Sequence, residues 1–115
     1  MLKQFSVVLA VACAAPLGSA QAQTELKAYA DADGYINVQK LTCAQLVGTY
    51  QEDANFLGVW YSGWYNGLGK KSSINLPRVR EGIHEVIVYC KANQGTTIIK
   101  AIDAVIKAEK ARTAK

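Results

Sequence analysis

The residues best suited to acid–base or metal chemistry are Glu81, His84 and Glu85, which fall on one face of a predicted helix. Two carboxylates and an imidazole at this spacing could hold a metal ion or exchange protons with a substrate. Three polar residues on one helical face are, however, typical of the side that faces water. We therefore expect these three residues, together with Asp103, to respond to pH as exposed titratable groups.

Other signatures of catalysis are missing from the sequence. It has a single histidine, no cysteine–histidine spacing typical of a zinc site, no glycine-rich phosphate loop after a strand and no G-x-S-x-G element. Its nine acidic residues are scattered, which does not favour a glycosidase-type pair of carboxylates. The sequence therefore predicts a protein that is not an enzyme and has neither a cofactor nor a metal site.

The first 22 residues have the pattern of a cleaved secretory signal peptide. A basic start at Lys3 precedes an apolar run, and Ala20-Gln21-Ala22 forms a small-residue cleavage site. We expect cleavage after Ala22 and a periplasmic location. The apolar run is too short to span a membrane, and no later segment is long and apolar enough to do so.

Two cysteines, Cys43 and Cys90, remain after this processing. Disulfides persist in exported proteins, and two thiols allow one intramolecular pairing. That bridge would close a loop of about 48 residues and stabilise the fold by about 4 kcal/mol through the lower entropy of the unfolded chain. An intermolecular bridge and two free thiols are the alternatives. The third cysteine, Cys13, leaves lipidation of the leader open as a further alternative.

The charge of the processed chain is mildly basic. Removal of Lys3 leaves 12 lysines and arginines against nine acidic residues, a net charge of +3. These cations are spread along the chain, with Lys70 and Lys71 as the main pair. A nucleic-acid-binding protein usually concentrates its positive charge more than this. We therefore expect no nucleic-acid partner.

The segment Phe56–Gly69, with the sequence FLGVWYSGWYNGLG, combines five aromatic residues with four glycines. Aromatic residues at this density favour burial or a partner, whereas each glycine inside a helix costs up to about 1 kcal/mol relative to alanine. Gly63 and Gly67 would let another helix or a partner chain approach closely. Large apolar residues at helical spacing predict the buried face of this helix: Leu57, Trp60, Trp64 and Leu68.

Three interpretations of this aromatic segment are compatible with its composition. It could form part of the core, it could be a permanent platform for stacking sugars or peptides, or it could be buried at neutral pH and offered to partners when the fold loosens. The glycines favour a helix that belongs to the core at neutral pH and is offered to partners when the fold loosens, because they make this helix locally weak.

Four short helices account for the chain from Leu41 onward, so the predicted fold is an all-α single-domain bundle. Apolar residues recur at helical spacing in the third and fourth helices. We expect residues 23–40 to form a loosely ordered arm, residues 41–112 the helical domain and residues 113–115 a tail. The residues predicted to cap the four helices are Thr42, Asp53, Asn75 and Thr96.

Three elements in this order resemble the HdeA/HdeB family of small periplasmic acid-stress chaperones. They are LTCAQL, the aromatic–glycine helix ending in GWYNGLGKK, and VIVYCKANQ followed by a short amphipathic helix. The resemblance extends over residues 41–106. It implies an all-α domain with a Cys43–Cys90 disulfide and a homodimer at neutral pH that acid loosens.

The function implied by this resemblance is that of an ATP-independent holdase, which exposes apolar surface at low pH and keeps acid-denatured periplasmic proteins from aggregating. The alternative is a constitutive periplasmic module that binds a ligand or protein through a permanent aromatic surface. The surface of that module would be formed by Trp60, Tyr61, Trp64 and Tyr65. The candidate client-binding residues of the holdase are those of the second helix: Phe56, Leu57, Trp60, Tyr61, Trp64 and Tyr65.

Overall fold

The computed structural model describes residues 22–113, and it folds these into a 3-10 helix and four α-helices. The predicted signal peptide up to residue 21, including Cys13, and the last two residues of the predicted tail lie outside the described part. The helix bounds are Leu26–Tyr29 for the 3-10 helix, then Cys43–Gly48 (α1), Gln51–Leu68 (α2), Leu76–Ala92 (α3) and Ile98–Thr113 (α4).

Within residues 22–113, β-structure is limited to two isolated bridges. Thr24 pairs with Thr49 in parallel orientation, and Thr42 pairs with Thr97 in antiparallel orientation. The prediction of an all-α fold of four helices is therefore confirmed.

Local capping sets the start of α1 and α3, as the sequence predicts. The Thr42 hydroxyl accepts a hydrogen bond from the Gln45 backbone N–H at 3.2 Å, and the Gln45 side chain accepts one from the Thr42 N–H at 2.9 Å. This reciprocal arrangement is a capping box. At α3 the Asn75 side chain accepts from the Arg78 N–H at 3.0 Å, and Pro77 lies in the first turn.

The predicted caps of α2 and α4 are wrong. Helix α2 begins two residues before Asp53, after Tyr50, so Asp53 lies in its first turn. The Asp53 carboxylate instead accepts a hydrogen bond from the Leu26 N–H of the N-terminal arm at 3.0 Å. Helix α4 begins at Ile98, and it is the Thr97 hydroxyl, in place of that of Thr96, that accepts from the Lys100 N–H at 3.3 Å.

A disulfide between Cys43 and Cys90 lies at the centre of the core, which confirms the intramolecular pairing. It joins the first residue of α1 to the last turn of α3, with the two Cα atoms 4.7 Å apart, and both cysteines are fully buried. Helix α3 also packs against α2 and α4, so it is the central element of the bundle. The buried residues around the bridge are Leu41, Leu46, Ala54, Leu57, Tyr61, Ile98 and Ala101.

The N-terminal arm, residues 23–40, lies along α1 and α2. Thr24 donates its N–H to the Gly48 carbonyl at 2.9 Å, and its own carbonyl accepts from the Thr49 hydroxyl at 2.7 Å. Farther along the arm, the Val38 carbonyl accepts a hydrogen bond from the Tyr61 hydroxyl. The arm side chains that pack against the core are Leu26, Tyr29, Ile36 and Val38.

Helix α2 approaches α3 most closely at Gly58. A Cβ atom at this position would lie 2.5 Å from Cγ1 and 3.1 Å from Cγ2 of Ile83 on α3. Cγ1 and Cγ2 are bonded directly to the Ile83 Cβ, so they can move away only through a change of the Ile83 rotamer or a shift of the helix. By contrast, Gly63 and Gly67, where the sequence predicts a close approach, have open space around them in this chain.

Gly58→Ala is therefore expected to lower the free energy of unfolding by about 1 kcal/mol, because overpacking costs about 1–3 kcal/mol and helix propensity returns at most about 1 kcal/mol. Gly82→Ala is the matched control, since Gly82 lies in the middle of α3 with open space around it. The Gly82→Ala control is expected to raise the free energy of unfolding by up to about 1 kcal/mol. Urea unfolding of the oxidised protein measures both, and equal stabilisation by the two variants would contradict the close approach.

Candidate functional site

The outer face of α2 carries an exposed apolar surface, made of Phe56, Val59 and Trp60. These side chains are 69%, 53% and 43% exposed, respectively. Helical spacing continues this face through Gly63 and Gly67, which have open space where a side chain would stand. The outer face of α2 is thus bulky and apolar in its first half and flat in its second half.

The inner face of α2 consists of Ala54, Leu57 and Tyr61, each at least 96% buried. Trp64 is partly buried and packs against the same core. The predicted buried stripe is therefore correct at Leu57 and Trp64 and wrong at Trp60 and Leu68, of which the latter is 68% exposed. The physical reason is that Tyr61 reaches the Val38 carbonyl of the arm, which sets the rotation of the helix about its axis.

An aromatic cluster connects the two faces of α2. The ring centroids of Trp60 and Trp64 are 6.1 Å apart in a stacked arrangement, and Trp60 also contacts the edge of the Tyr61 ring at 5.4 Å. Trp64 in turn contacts Tyr65 at 5.2 Å. Because these rings contact one another in sequence along the helix, a rotation or loosening of α2 would alter the exposure of all four aromatic side chains.

Two tyrosines of α2 have hydroxyl groups in environments that favour the neutral phenol. Burial, with a smaller contribution from nearby Tyr65, raises the pKa of Tyr61 to about 12. The Tyr65 hydroxyl donates to a carboxylate oxygen of Asp103 on α4 at 3.3 Å. Burial first, and then the charge and hydrogen bond of Asp103, raise the pKa of Tyr65.

The structure does not bring the four candidate pH-responsive residues together. Glu81 and His84 are exposed on α3, and Glu85 pairs with Arg112 of α4 at 3.6 Å. Asp103 contacts Tyr65 at a different part of the bundle. Within residues 22–113, Asp103 forms no ion pair, and no three His, Cys, Asp or Glu side chains lie close enough to hold a metal ion.

Two further contacts of acidic residues link separate elements, and the sequence gives no signal for either. Asp53 on α2 holds the Leu26 N–H of the arm, and Glu109 on α4 pairs with Arg78 on α3 at 2.9 Å. Sequence patterns of three or four residues detect contacts within one helix. The partners are 27 positions apart in the first contact and 31 positions apart in the second, so both contacts depend on the tertiary structure.

A groove of about 440 Å³ separates α2 from α4, with α3 as its floor. Its apolar walls include Leu57, Ile83, Ile102 and Ile106, and Tyr61 also lines it. The groove indicates that α2 leans against α3 without fully closing the bundle on the α4 side. If α2 moved away from α3, the apolar residues that line the groove would be exposed together with the outer face of α2.

The chain belongs to the HdeA/HdeB family, because the sequence model of that family matches residues 6–100. This is a family of periplasmic acid-stress chaperones. No curated protein and no solved structure gives a significant match to the chain. None of the helices in the described part of the chain is long and apolar enough to cross a membrane.

The raised pKa of Tyr61 predicts a loss of stability in alkali. The folded state holds the Tyr61 proton more tightly than the unfolded state, whose pKa is near 10.0. The resulting stabilisation is fully present below pH 10 and is lost as the pH rises through about 12. The free energy of unfolding should fall there by at most about 1.4 kcal/mol per pH unit.

Tyr61→Phe is expected to remove this part of the pH dependence and to cost about 1 kcal/mol at neutral pH through the lost hydrogen bond to Val38. Tyr35→Phe is the matched control, because Tyr35 is 76% exposed. Urea unfolding at successive pH values measures the slope for each protein. If the two variants have the same slope, the assignment to Tyr61 is wrong.

Proposed function

We propose that this protein is an ATP-independent periplasmic holdase that binds acid-denatured client proteins through α2 and the apolar surface beneath it. The observation that supports this most directly is the position of α2 in the bundle. The disulfide joins α1 to α3, and α4 packs on α3, whereas α2 lies on the long loop between the two cysteines. Helix α2 can therefore move away while the rest of the domain stays connected.

Movement of α2 would add buried apolar surface to the surface that is already exposed. Leu57 and Tyr61 on its inner face, and Ile83 on the facing side of α3, would become accessible together with Phe56 and Trp60. Gly58, Gly63 and Gly67 weaken the helix itself. An apolar surface of this kind binds the exposed hydrophobic segments of unfolding proteins without a need for shape complementarity.

Acid would loosen α2 through the loss of negative charge around it. Carboxylates in water titrate near pH 4, so most of the nine are protonated at about pH 2. With every ionisable group protonated, the 12 lysines and arginines, the single histidine and the N-terminus would give the processed chain a net charge of +14 in place of +3. The Glu109–Arg78 and Glu85–Arg112 pairs are then lost, although exposed pairs contribute only about 0–1 kcal/mol each. Self-repulsion is therefore the larger effect.

A homodimer at neutral pH would cover the outer face of α2. In an antiparallel pair of α2 helices with the two-fold axis between residues 61 and 62, Phe56 lies opposite Gly67 and Trp60 lies opposite Gly63. The bulky half of each helix thus meets the flat half of its partner, as a self-complementary interface requires. Dissociation of this dimer in acid would release the client-binding surface.

A constitutive binding module is the second candidate function, and the exposure of Trp60 and Phe56 favours it. If these aromatic side chains form a permanent ligand surface, binding should be present at neutral pH and should not depend on acid. The acid dependence of activity therefore separates the two functions.

The holdase function predicts that the oxidised, processed protein suppresses light scattering from an acid-sensitive client only on the acid side of a titration from about pH 7 to about pH 2. Phe56→Ser combined with Trp60→Ser should require at least about tenfold more protein for the same suppression, because two large apolar contacts are lost. Tyr35→Ser combined with Val88→Ser is the matched control, since both residues are exposed and outside α2.

The control pair should suppress scattering as well as the unaltered protein does. Suppression at neutral pH that is equal to that in acid would favour the constitutive module. Absence of suppression at every pH would contradict the holdase function, and equal loss in both double variants would contradict the role of α2.

The dimer interface predicts that Gly63→Leu produces a monomer at neutral pH, because a leucine side chain would occupy the space that Trp60 of the partner needs. Leucine is a better helix former than glycine, so dissociation could not be ascribed to a weaker helix. Ala108→Leu, at an exposed position on α4, is the control and should leave the dimer intact. Sedimentation velocity measures both, and a dimeric Gly63→Leu variant would exclude this interface.

A further inference from the structure

The chain between Ala54 and Arg80 contains no acidic residue. It holds four cations, Lys70, Lys71, Arg78 and Arg80, all within or next to the turn that joins α2 to α3. All four are exposed. Arg78 pairs with Glu109. The other three cations, Lys70, Lys71 and Arg80, form no ion pair within the described residues. The α2–α3 turn itself thus carries the adjacent cations Lys70 and Lys71 and no acid, and Glu81 follows only after Arg80 in α3.

Three large apolar side chains project from the same turn. Leu68 at the end of α2 is 68% exposed, and Ile74 and Leu76 at the start of α3 are 53% and 57% exposed. Lys70 and Lys71 lie between Leu68 and Ile74 in the chain, and Arg78 and Arg80 follow Leu76. Exposed apolar side chains grouped in this way mark an interaction surface more often than isolated ones do.

The backbone of the turn is held in a defined shape. The N–H groups of Gly69, Lys70 and Lys71 donate to carbonyls in the last turn of α2, at 3.3, 3.0 and 2.9 Å. Lys70 has a φ of 55°, in the left-handed region. On the other side of the turn, the Asn75 cap closes the start of α3. The apolar and cationic side chains thus project from a fixed support, which lowers the entropy lost on binding.

The charge distribution orients the molecule. Residues 22–53 carry five acidic residues against two lysines, whereas the α2–α3 turn carries cations alone. Helix α4 is also cationic, with four lysines and arginines against Asp103 and Glu109. A negatively charged surface would therefore attract the turn and α4 and repel the arm.

We propose that the α2–α3 turn docks on the surface of an anionic lipid bilayer. Leu68, Ile74 and Leu76 insert into the interfacial region, and the lysines and arginines contact the lipid phosphates. Interfacial binding needs a few apolar side chains together with cations. A protein partner would need roughly 800 Å² of surface on each side, which a seven-residue turn with three separated apolar side chains does not supply.

The test is co-sedimentation at neutral pH of the processed, oxidised protein with vesicles of phosphatidylcholine, with and without phosphatidylglycerol. Binding is expected with the anionic vesicles alone, and it should weaken as salt is added. Lys70→Gln combined with Lys71→Gln should reduce the partition coefficient by about 25-fold, since each cation near an anionic surface contributes about fivefold. Lys91→Gln combined with Lys100→Gln removes the same charge from exposed positions on α3 and α4 and should reduce it by less than about twofold.

Ile74→Ser separates a bilayer from other polyanions. It leaves the charge unchanged and should reduce binding to anionic vesicles by about fivefold or more, because an inserted apolar side chain is lost. Val88→Ser, at an equally exposed position on α3, is its control and should leave binding unchanged. Absence of binding at low salt, an equal effect of the two lysine pairs, or an Ile74→Ser variant that binds as well as the unaltered protein would each overturn the proposal.

Discussion

The disulfide between Cys43 and Cys90 is the constraint on which the rest of the structure depends. It joins the start of α1 to the end of α3 at full burial, and Ile98 and Ala101 of α4 pack in the same core. A chain of this size has little apolar area with which to offset its conformational entropy. The bridge supplies the missing stability by restricting the unfolded chain. The bridge joins α1 to α3, on which α4 packs, and it leaves α2 outside this covalent constraint.

Helix α2 is the part that the bridge bypasses, and its composition reflects two opposing demands. It must contribute Leu57 and Tyr61 to the core, yet its other face presents Phe56 and Trp60 to solvent. The glycines serve both faces of the helix, each at a different position. Gly58 lets the helix lie close to Ile83, whereas Gly63 and Gly67 leave a flat outer surface. A helix built this way holds its position through contacts with its neighbours more than through its own propensity.

The sequence predicts the parts of the fold that depend on local chemistry. The caps at Thr42 and Asn75 follow from hydrogen bonds within three residues, so they can be recognised without the tertiary structure. The rotation of α2 cannot, because Leu57 and Trp64 belong to the predicted buried stripe, which has Trp60, and also to the observed one, which has Tyr61. The choice between Trp60 and Tyr61 as the buried residue depends on the Val38 carbonyl, 23 positions away. The position of Asp53 against Leu26 was missed for the same reason.

The absence of acidic residues between Ala54 and Arg80 bears on where acid can act. This stretch contains the last 15 of the 18 residues of α2, so the carboxylates of the helix are confined to Glu52 and Asp53 in its first turn. A response of α2 to acid beyond the self-repulsion of the whole chain must then come from the groups that hold the helix in place. These are Asp53 at its first turn, which holds the arm, and Asp103 of α4, which accepts from Tyr65. The exposed apolar side chains of α2, Phe56 and Trp60, thus follow its carboxylates in the chain. Under the proposed function, acid would act on the attachment of the helix to the domain and leave the chemistry of this apolar face unchanged.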